Sequence, residues 1–111
     1  MLVKEGLVTE IRDIKFDNID LSEVTSQDLK LLLGVVTRYV GLHDITLSES
    51  QTEAVFSSMS RLSDRIDLFD GVVIDVAAAT EALRGITGRV RRGLIQCWGD
   101  SNFKYRQICH F

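Results

Sequence analysis

Residues Ile11 to Leu21 read IRDIKFDNIDL, and this stretch decides how the rest of the chain is interpreted. Its apolar and polar residues alternate as they do on a β-strand with one buried face. Its central triplet, apolar-x-apolar, recurs downstream at starts 14, 40, 66 and 90, with the apolar ends kept in three of the four copies. The starts are 26, 26 and 24 residues apart. A near-constant interval of this size indicates a repeat architecture.

A helix-like segment follows each strand-like one. The predicted helices cover residues 25–38, 50–62, 76–87 and 102–110. Apolar residues spaced four and then three apart give the first three an amphipathic stripe. In the first helix this stripe is Leu29, Leu33 and Val36. Thr25 followed by Asp28, and Ser50 followed by Glu53, resemble capping boxes and mark two helix starts.

Extending the same alignment places further apolar residues in columns. One column contains Ile19, Ile45, Gly71 and Ile95, and another contains Leu21, Leu47, Val73 and Cys97. In this register Ile14, Phe16 and Ile19 are predicted to point into a shared core. One strand and one helix cannot bury their own apolar faces, so neighbouring units have to stack.

The pattern IxxIxFxxIxL followed by a helix resembles the leucine-rich repeat in its ribonuclease-inhibitor and NOD-like-receptor form, whose unit has about 20 to 29 residues. The resemblance runs from residue 11 to about residue 111. It implies an α/β fold, a short solenoid of about four units with parallel strands on the concave side and helices on the convex side. An all-α helical bundle is the alternative fold.

The predicted domain organisation is a single repeat domain over residues 1–111. Its units lie near 11–36, 37–62, 63–87 and 88–111, and residues 1–10 are the tail of a preceding unit or an N-terminal cap. Neither end carries an evident polar cap, which solenoids normally need. We therefore expect a homo-oligomer that forms through the open repeat ends.

Composition limits the function classes. Hydrophobic residues at 45% and charged residues at 26% are typical of a globular domain, with neither disorder nor a membrane span. A net charge of −3 argues against nucleic acid as a partner. The basic cluster of Arg84, Arg89, Arg91 and Arg92 is read either as a contact for phosphate or an acidic partner, or as complementing helix ends. Cys97 and Cys109 are predicted to be free, packed thiols, and with no secretion signal at Met1 the expected location is cytoplasmic.

The solvent-facing strand positions define the surface on which we expect a ligand. Its columns are Lys15, Gly41, Asp67 and Arg91, then Asp17, His43, Phe69 and Gly93, then Asn18, Asp44, Asp70 and Leu94. They form a mixed-charge surface with an acidic middle and one aromatic anchor. The predicted partner-binding residues are Lys15, Asp17, Asn18, His43, Asp44, Asp67, Phe69, Asp70 and Arg91.

Catalysis finds no support in the sequence. His43 beside Asp44, and the pair Asp67 and Asp70, are residue types used in acid–base or metal chemistry, yet no third ligand or orienting residue is recognisable. We predict no catalytic residues, no metal and no cofactor. Trp98 is predicted to cover the C-terminal end of the core, with anchoring of a partner as the alternative.

The predicted function is therefore non-enzymatic protein–protein recognition or an assembly scaffold, with an unknown protein partner. One alternative is a fragment or orphan domain with a purely oligomeric packing role. A second follows from residues 82–90, ALRGITGRV, which resemble the last helix of tRNA-modifying GTPases and imply a helical accessory domain. The chain lacks the nucleotide-binding motifs GxGxxG and GxxxxGK[ST].

Overall fold

Strands and helices alternate along the chain in this computed structural model, which describes residues 10–84 and 93–109. The strands are β1 (Ile11–Asp17), β2 (Val36–His43), β3 (Ile66–Leu68) and β4 (Ile95–Cys97). The helices are α1 (Ser26–Leu33), α2 (Glu49–Ser57), α3 (Val76–Leu83) and α4 (Asp100–Lys104), with a 3-10 turn at Met59–Arg61. The strands form one parallel sheet in the order β1-β2-β3-β4. This α/β arrangement excludes the all-α helical bundle.

The sheet register confirms the first two repeat intervals and corrects the third. Ile14 pairs with Val40, and Val40 pairs with Ile66, at the predicted spacing. Ile66 then pairs with Ile95, five residues beyond the predicted Val90. Ile95 and Cys97 therefore continue the columns of Ile14 and Phe16, not those of Ile19 and Leu21. The predicted strand at 90–92, with Arg91 in it, lies outside the described residues.

A physical reason favours the register that begins at Ile95. The triplet Ile95-Gln96-Cys97 places two apolar side chains in the core, and both are buried. The alternative triplet, residues 90–92, places Arg92 at an inward position. Burying an unpaired guanidinium is far more costly than burying a cysteine.

The helix boundaries differ from the prediction at several ends. α1 ends at Leu33, not at residue 38, because Gly34 is followed by the β-branched run Val35-Val36-Thr37, which enters β2. Val36 is thus a strand residue. The cap at Thr25 is confirmed, since its Oγ1 accepts from the Asp28 amide at 3.1 Å.

The second capping box lies two residues before its predicted place. Ser48 Oγ accepts from the Gln51 amide at 3.2 Å, and Gln51 Oε1 accepts from the Ser48 amide at 3.0 Å. α2 therefore begins at Glu49, and its predicted last turn becomes the 3-10 turn. α3 ends at Leu83, and α4 spans Asp100–Lys104 instead of 102–110.

The core lies between one face of the sheet and the helices, with α2 packed between α1 and α3. Phe16 is buried as predicted, and Ile14 is half-buried. Ile19, predicted to point inward, is 47% exposed. Asn18 has a φ of +53°, and this left-handed residue turns the chain out of the strand direction just before Ile19.

Buried polar side chains connect α2 and the segment after α4 to loops of the preceding units. The side-chain amide of Gln51 donates through Nε2 to the Leu21 and Val24 carbonyls, at 2.7 and 2.8 Å. The Tyr105 hydroxyl donates to the Val72 carbonyl at 2.8 Å and accepts from the Ile74 amide at 3.2 Å. Because buried polar groups are costly unless they are hydrogen-bonded, these contacts fix how α2 and the last segment lie against the units before them.

Cys97 and Cys109 form a disulfide, with their Cα atoms 5.8 Å apart. The prediction of free thiols is wrong. The prediction that both side chains are packed is confirmed, since both are buried. The bond ties the segment after α4 to β4, the strand that ends just before Trp98.

Reduction of this disulfide is expected to lower the free energy of unfolding by about 2–3 kcal/mol, because the bond closes a short loop in the unfolded chain. The two cysteines are 12 residues apart in sequence. Urea denaturation with and without a reductant measures the effect. In the double variant Cys97→Ser, Cys109→Ser the reductant should change nothing, and an equal shift in that variant would assign the effect to something else.

Candidate functional site

The face of the sheet that points away from the core carries a dense set of polar and aromatic side chains. Alternation along the strands and the observed register bring them together. We call this surface the open face. Its residues are Lys15, Asp17, Tyr39, Gly41, His43, Arg65, Asp67, Phe69, Gln96 and Trp98.

Asp67 is at the centre of the open face and is buried. It was predicted to be solvent-facing, yet only 3% of its surface is exposed. Tyr39 Oη donates to its Oδ2 at 2.7 Å. Arg65 Nε and Trp98 Nε1 both donate to its Oδ1, at 2.8 and 3.2 Å. These donors cover the carboxylate and supply the hydrogen bonds that a buried charge requires.

Gly41 makes room for this arrangement. A Cβ at this position would lie 3.0 Å from Tyr39 Oη and 3.3 Å from Lys15 Cγ. The Tyr39 ring and the Lys15 stem therefore both cross β2 where it has no side chain. Gly41 itself is buried beneath them, although it was predicted to face solvent. A glycine inside a strand marks such a close approach.

Two effects raise the pKa of Tyr39 well above the ordinary tyrosine value. Burial is the larger, and the hydrogen bond to Asp67 is the second. Removing the phenolic proton would place a second negative charge beside the buried carboxylate. The phenol is thus held neutral, as a hydrogen-bond donor.

This raised pKa predicts a loss of stability at alkaline pH. In the unfolded chain the Tyr39 phenol ionises near pH 10, whereas in the folded protein it keeps its proton. The contribution of the Tyr39 phenol to the free energy of unfolding is fully present at pH values below its pKa in the unfolded chain. It declines as the pH rises through and above that pKa. Urea midpoints measured from about pH 8 to 11 should fall more steeply for the wild type than for Tyr39→Phe. Equal slopes would contradict the prediction.

Phe69 and Trp98 form a stacked pair on the open face. Their ring centroids are 6.5 Å apart and their planes differ by 16°. Lys15 Nζ lies over the Phe69 ring, 4.9 Å from its centroid. Trp98 is 47% exposed, so the prediction that it covers the core is wrong. The corrected register explains its position, because Trp98 directly follows β4 and reaches the level of Phe69.

His43 pairs with Asp17 and not with its sequence neighbour Asp44. His43 Nδ1 lies 2.6 Å from Asp17 Oδ1, and this hydrogen bond lowers the pKa of the Asp17 carboxyl. Asp44 has a φ of +52° and lies in the turn after β2. Within residues 10–84 and 93–109, no three His, Cys, Asp or Glu side chains are placed to hold a metal ion.

Several predicted binding residues lie beside the open face, at the carboxyl ends of the strands. Asp70 Oδ1 accepts from the Asp100 amide at 2.6 Å, and Asp100 Oδ1 accepts from the Gly71 amide at 3.2 Å. We call this border the acidic edge, and its exposed members are Asp17, Asp44, Asp70 and Asp100. Asn18 lies on the same border, in the turn after β1.

Sequence reasoning missed Tyr39 and Arg65, and it gave Trp98 a partner-anchoring role only as the alternative to covering the core. Tyr39 and Arg65 each stand one residue before a repeated triplet, so the period-2 rule places them on the same face as Gly41 and Asp67. That signal was available for these two residues. The position of Trp98 was predicted wrongly because it depended on the register of β4.

Arg38 and Arg84 form ion pairs with neighbouring carboxylates. Arg38 contacts Asp13 at 2.7 Å and Asp64 at 2.9 Å, and Arg84 contacts Glu81 at 3.1 Å. The hydrogen bond from Arg38 is the main reason that the pKa of the Asp13 carboxyl is lowered. The other members of the predicted basic cluster, Arg89, Arg91 and Arg92, lie outside the described residues.

Comparison with known proteins gave no match. No protein-family model matches the chain, and no curated protein or solved structure matches it. None of the described helices is long and apolar enough to cross a membrane.

Proposed function

We propose that the protein is a non-enzymatic recognition module with a leucine-rich-repeat-like architecture, and that it binds a protein partner through the open face. The architecture is supported by the sequential order of the parallel strands and by the two 26-residue steps between paired residues, Ile14 to Val40 and Val40 to Ile66. A helix lies between consecutive strands throughout the first three units.

The observation that carries the proposal is an accessible aromatic pair held by a buried carboxylate. Trp98 stacks on Phe69, and its indole N–H is fixed by Asp67, which is itself held by Tyr39 and Arg65. Tryptophan and tyrosine are the side chains most enriched among binding hot spots. A pair fixed before binding loses little rotamer entropy when a partner arrives.

The ionic groups of the open face fit binding better than catalysis. Asp67, Arg65 and Asp17 each have a partner on the same face, at 2.8 Å or less. Such mutual pairing fixes the shape of a surface, whereas a general base needs a free position that faces the substrate. We therefore assign no catalytic role to any of them.

Selection from an unbiased peptide display library tests this function. The wild-type protein should enrich ligands whose affinity falls at least tenfold in the double variant Phe69→Ala, Trp98→Ala. The matched control is Leu31→Ala, which removes a partly exposed apolar side chain from α1, on the helical side. Ligands that bind the open-face variant as well as the wild type would refute the proposal, as would a selection that enriches nothing.

Two further sequence expectations stay predictions. Self-association through the ends of the sheet is checked by light scattering over a range of concentrations. The cytoplasmic location loses one of its supports, because the thiols on which it partly rested are joined in a disulfide.

A further inference from the structure

The aromatic pair belongs to a longer stack that is capped by a cation at one end. Lys15 reaches Phe69 from the β1 side of the sheet, and Trp98 meets Phe69 from the β4 side. The order across the sheet is cation, Phe69 ring, Trp98 ring. Among the described residues no cation lies over the Trp98 ring, which leaves about half of that side chain exposed at the end of the stack.

The charges next to the exposed side of Trp98 determine which kind of group can complete the stack. Asp70 directly follows Phe69, and Asp100 lies two residues after Trp98, both exposed on the acidic edge. Asp44 lies on the same edge, and no hydrogen bond or ion pair joins its carboxylate to another described residue. An aromatic face beside several carboxylates attracts a cation and repels an anion.

We propose that the exposed face of Trp98 binds the guanidinium group of an arginine in an extended basic segment of the partner protein, an inference that rests on the proposed function. A guanidinium is planar, so it stacks on the indole as a third layer. Its edge N–H groups remain free to donate to a carboxylate of the acidic edge. A lysine ammonium offers neither the flat surface nor the two-pronged hydrogen bond, which is why arginine is preferred.

The chain has one tryptophan, so its fluorescence reports on this site alone. The probe is an acetylated and amidated peptide of alternating glycine and arginine, titrated at low ionic strength. The matched peptide carries citrulline, which keeps the shape of arginine without its charge. We expect the arginine peptide to change the Trp98 emission saturably and to bind at least about tenfold more tightly than the citrulline peptide. Equal binding of the two peptides, or binding of neither, would overturn the inference.

Variants locate the site, with calorimetry as the readout that does not depend on the indole. Trp98→Phe, which keeps a ring, should weaken binding of the arginine peptide less than Trp98→Ala does. Asp44→Asn removes an edge charge and suits the left-handed backbone there, so it should weaken binding about two- to fivefold without unfolding the protein. Glu49→Gln, on α2, is the matched control and should change nothing. An equal effect of Glu49→Gln would reduce the interaction to general charge attraction and overturn the site.

The two proposals fail in different ways. If the display library yields ligands that need Phe69 and Trp98 but contain no arginine, and the arginine peptide does not bind, the open face is a recognition surface and the arginine inference is wrong. If the library yields nothing that depends on these residues, the proposed function itself is wrong.

Discussion

Replacing Asp67 with alanine is expected to lower the free energy of unfolding by about 3–4 kcal/mol, the largest effect of any substitution on the open face. The carboxylate accepts hydrogen bonds from Tyr39, Arg65 and Trp98, so its removal leaves a phenol, a guanidinium and an indole without their acceptor. Arg65 regains some hydration because its side chain is partly exposed, which keeps the cost below that of a fully enclosed ion pair.

Two matched variants separate charge from hydrogen bonding at this position. Asp67→Asn keeps an oxygen for Arg65 and Trp98 and presents an amide to the Tyr39 hydroxyl, so it should cost about 1–2 kcal/mol. Asp13→Asn, which removes an exposed carboxylate bound to Arg38, should have a much smaller effect than Asp67→Ala. Urea denaturation gives the stabilities, and the emission of Trp98 reports the local structure. If Asp13→Asn and Asp67→Ala proved equally destabilising, Asp67 would not be the centre of the network.

Local sequence signals were enough for the first three strands. The triplets at Ile14, Val40 and Ile66 combine alternation with a regular interval, and both signals are set by the chain itself. The helix start at Thr25 was also local, since the capping side chain and the amide it binds are three residues apart. The same kind of local signal was misplaced by two residues at α2, where the capping box is formed by Ser48 and Gln51.

Other predictions failed because they depend on contacts between distant residues. Asp67 lies on the predicted face, but its burial depends on Tyr39, 28 residues earlier, and Trp98, 31 residues later. The register of β4 departs from the regular interval, and the inward position of Arg92 in the 90–92 triplet was the sequence signal against the predicted register. The disulfide is likewise a contact between separate segments, since Cys97 at the end of β4 and Cys109 after α4 are both buried and meet in the core.

Substitution of Gly99 measures how closely the acidic edge and the open face are coupled. Gly99→Ala is expected to lower the free energy of unfolding by about 3–5 kcal/mol, from backbone strain together with a lost hydrogen bond. Gly99 has φ +55° and ψ −131°, a conformation that residues with a side chain rarely adopt. A Cβ there would also overlap the carboxylate of Asp70, which accepts a hydrogen bond from the Asp100 amide.

Gly93 provides a control that separates backbone strain from the overlap with Asp70. Gly93 also has a positive φ, +81°, but a Cβ at that position would meet no atom of the described residues within 4 Å. Gly93→Ala should therefore show the backbone strain alone, at about 1–2 kcal/mol. The additional loss of unfolding free energy in Gly99→Ala, compared with Gly93→Ala, measures the displacement of Asp70. Adding Asp70→Gly to Gly99→Ala should recover the steric part of that additional loss. Because Gly99 directly follows Trp98, Gly99→Ala should also shift the Trp98 emission, whereas Gly93→Ala should not. Equal losses at the two glycines, with no change in emission, would mean that the turn after β4 does not position the aromatic pair.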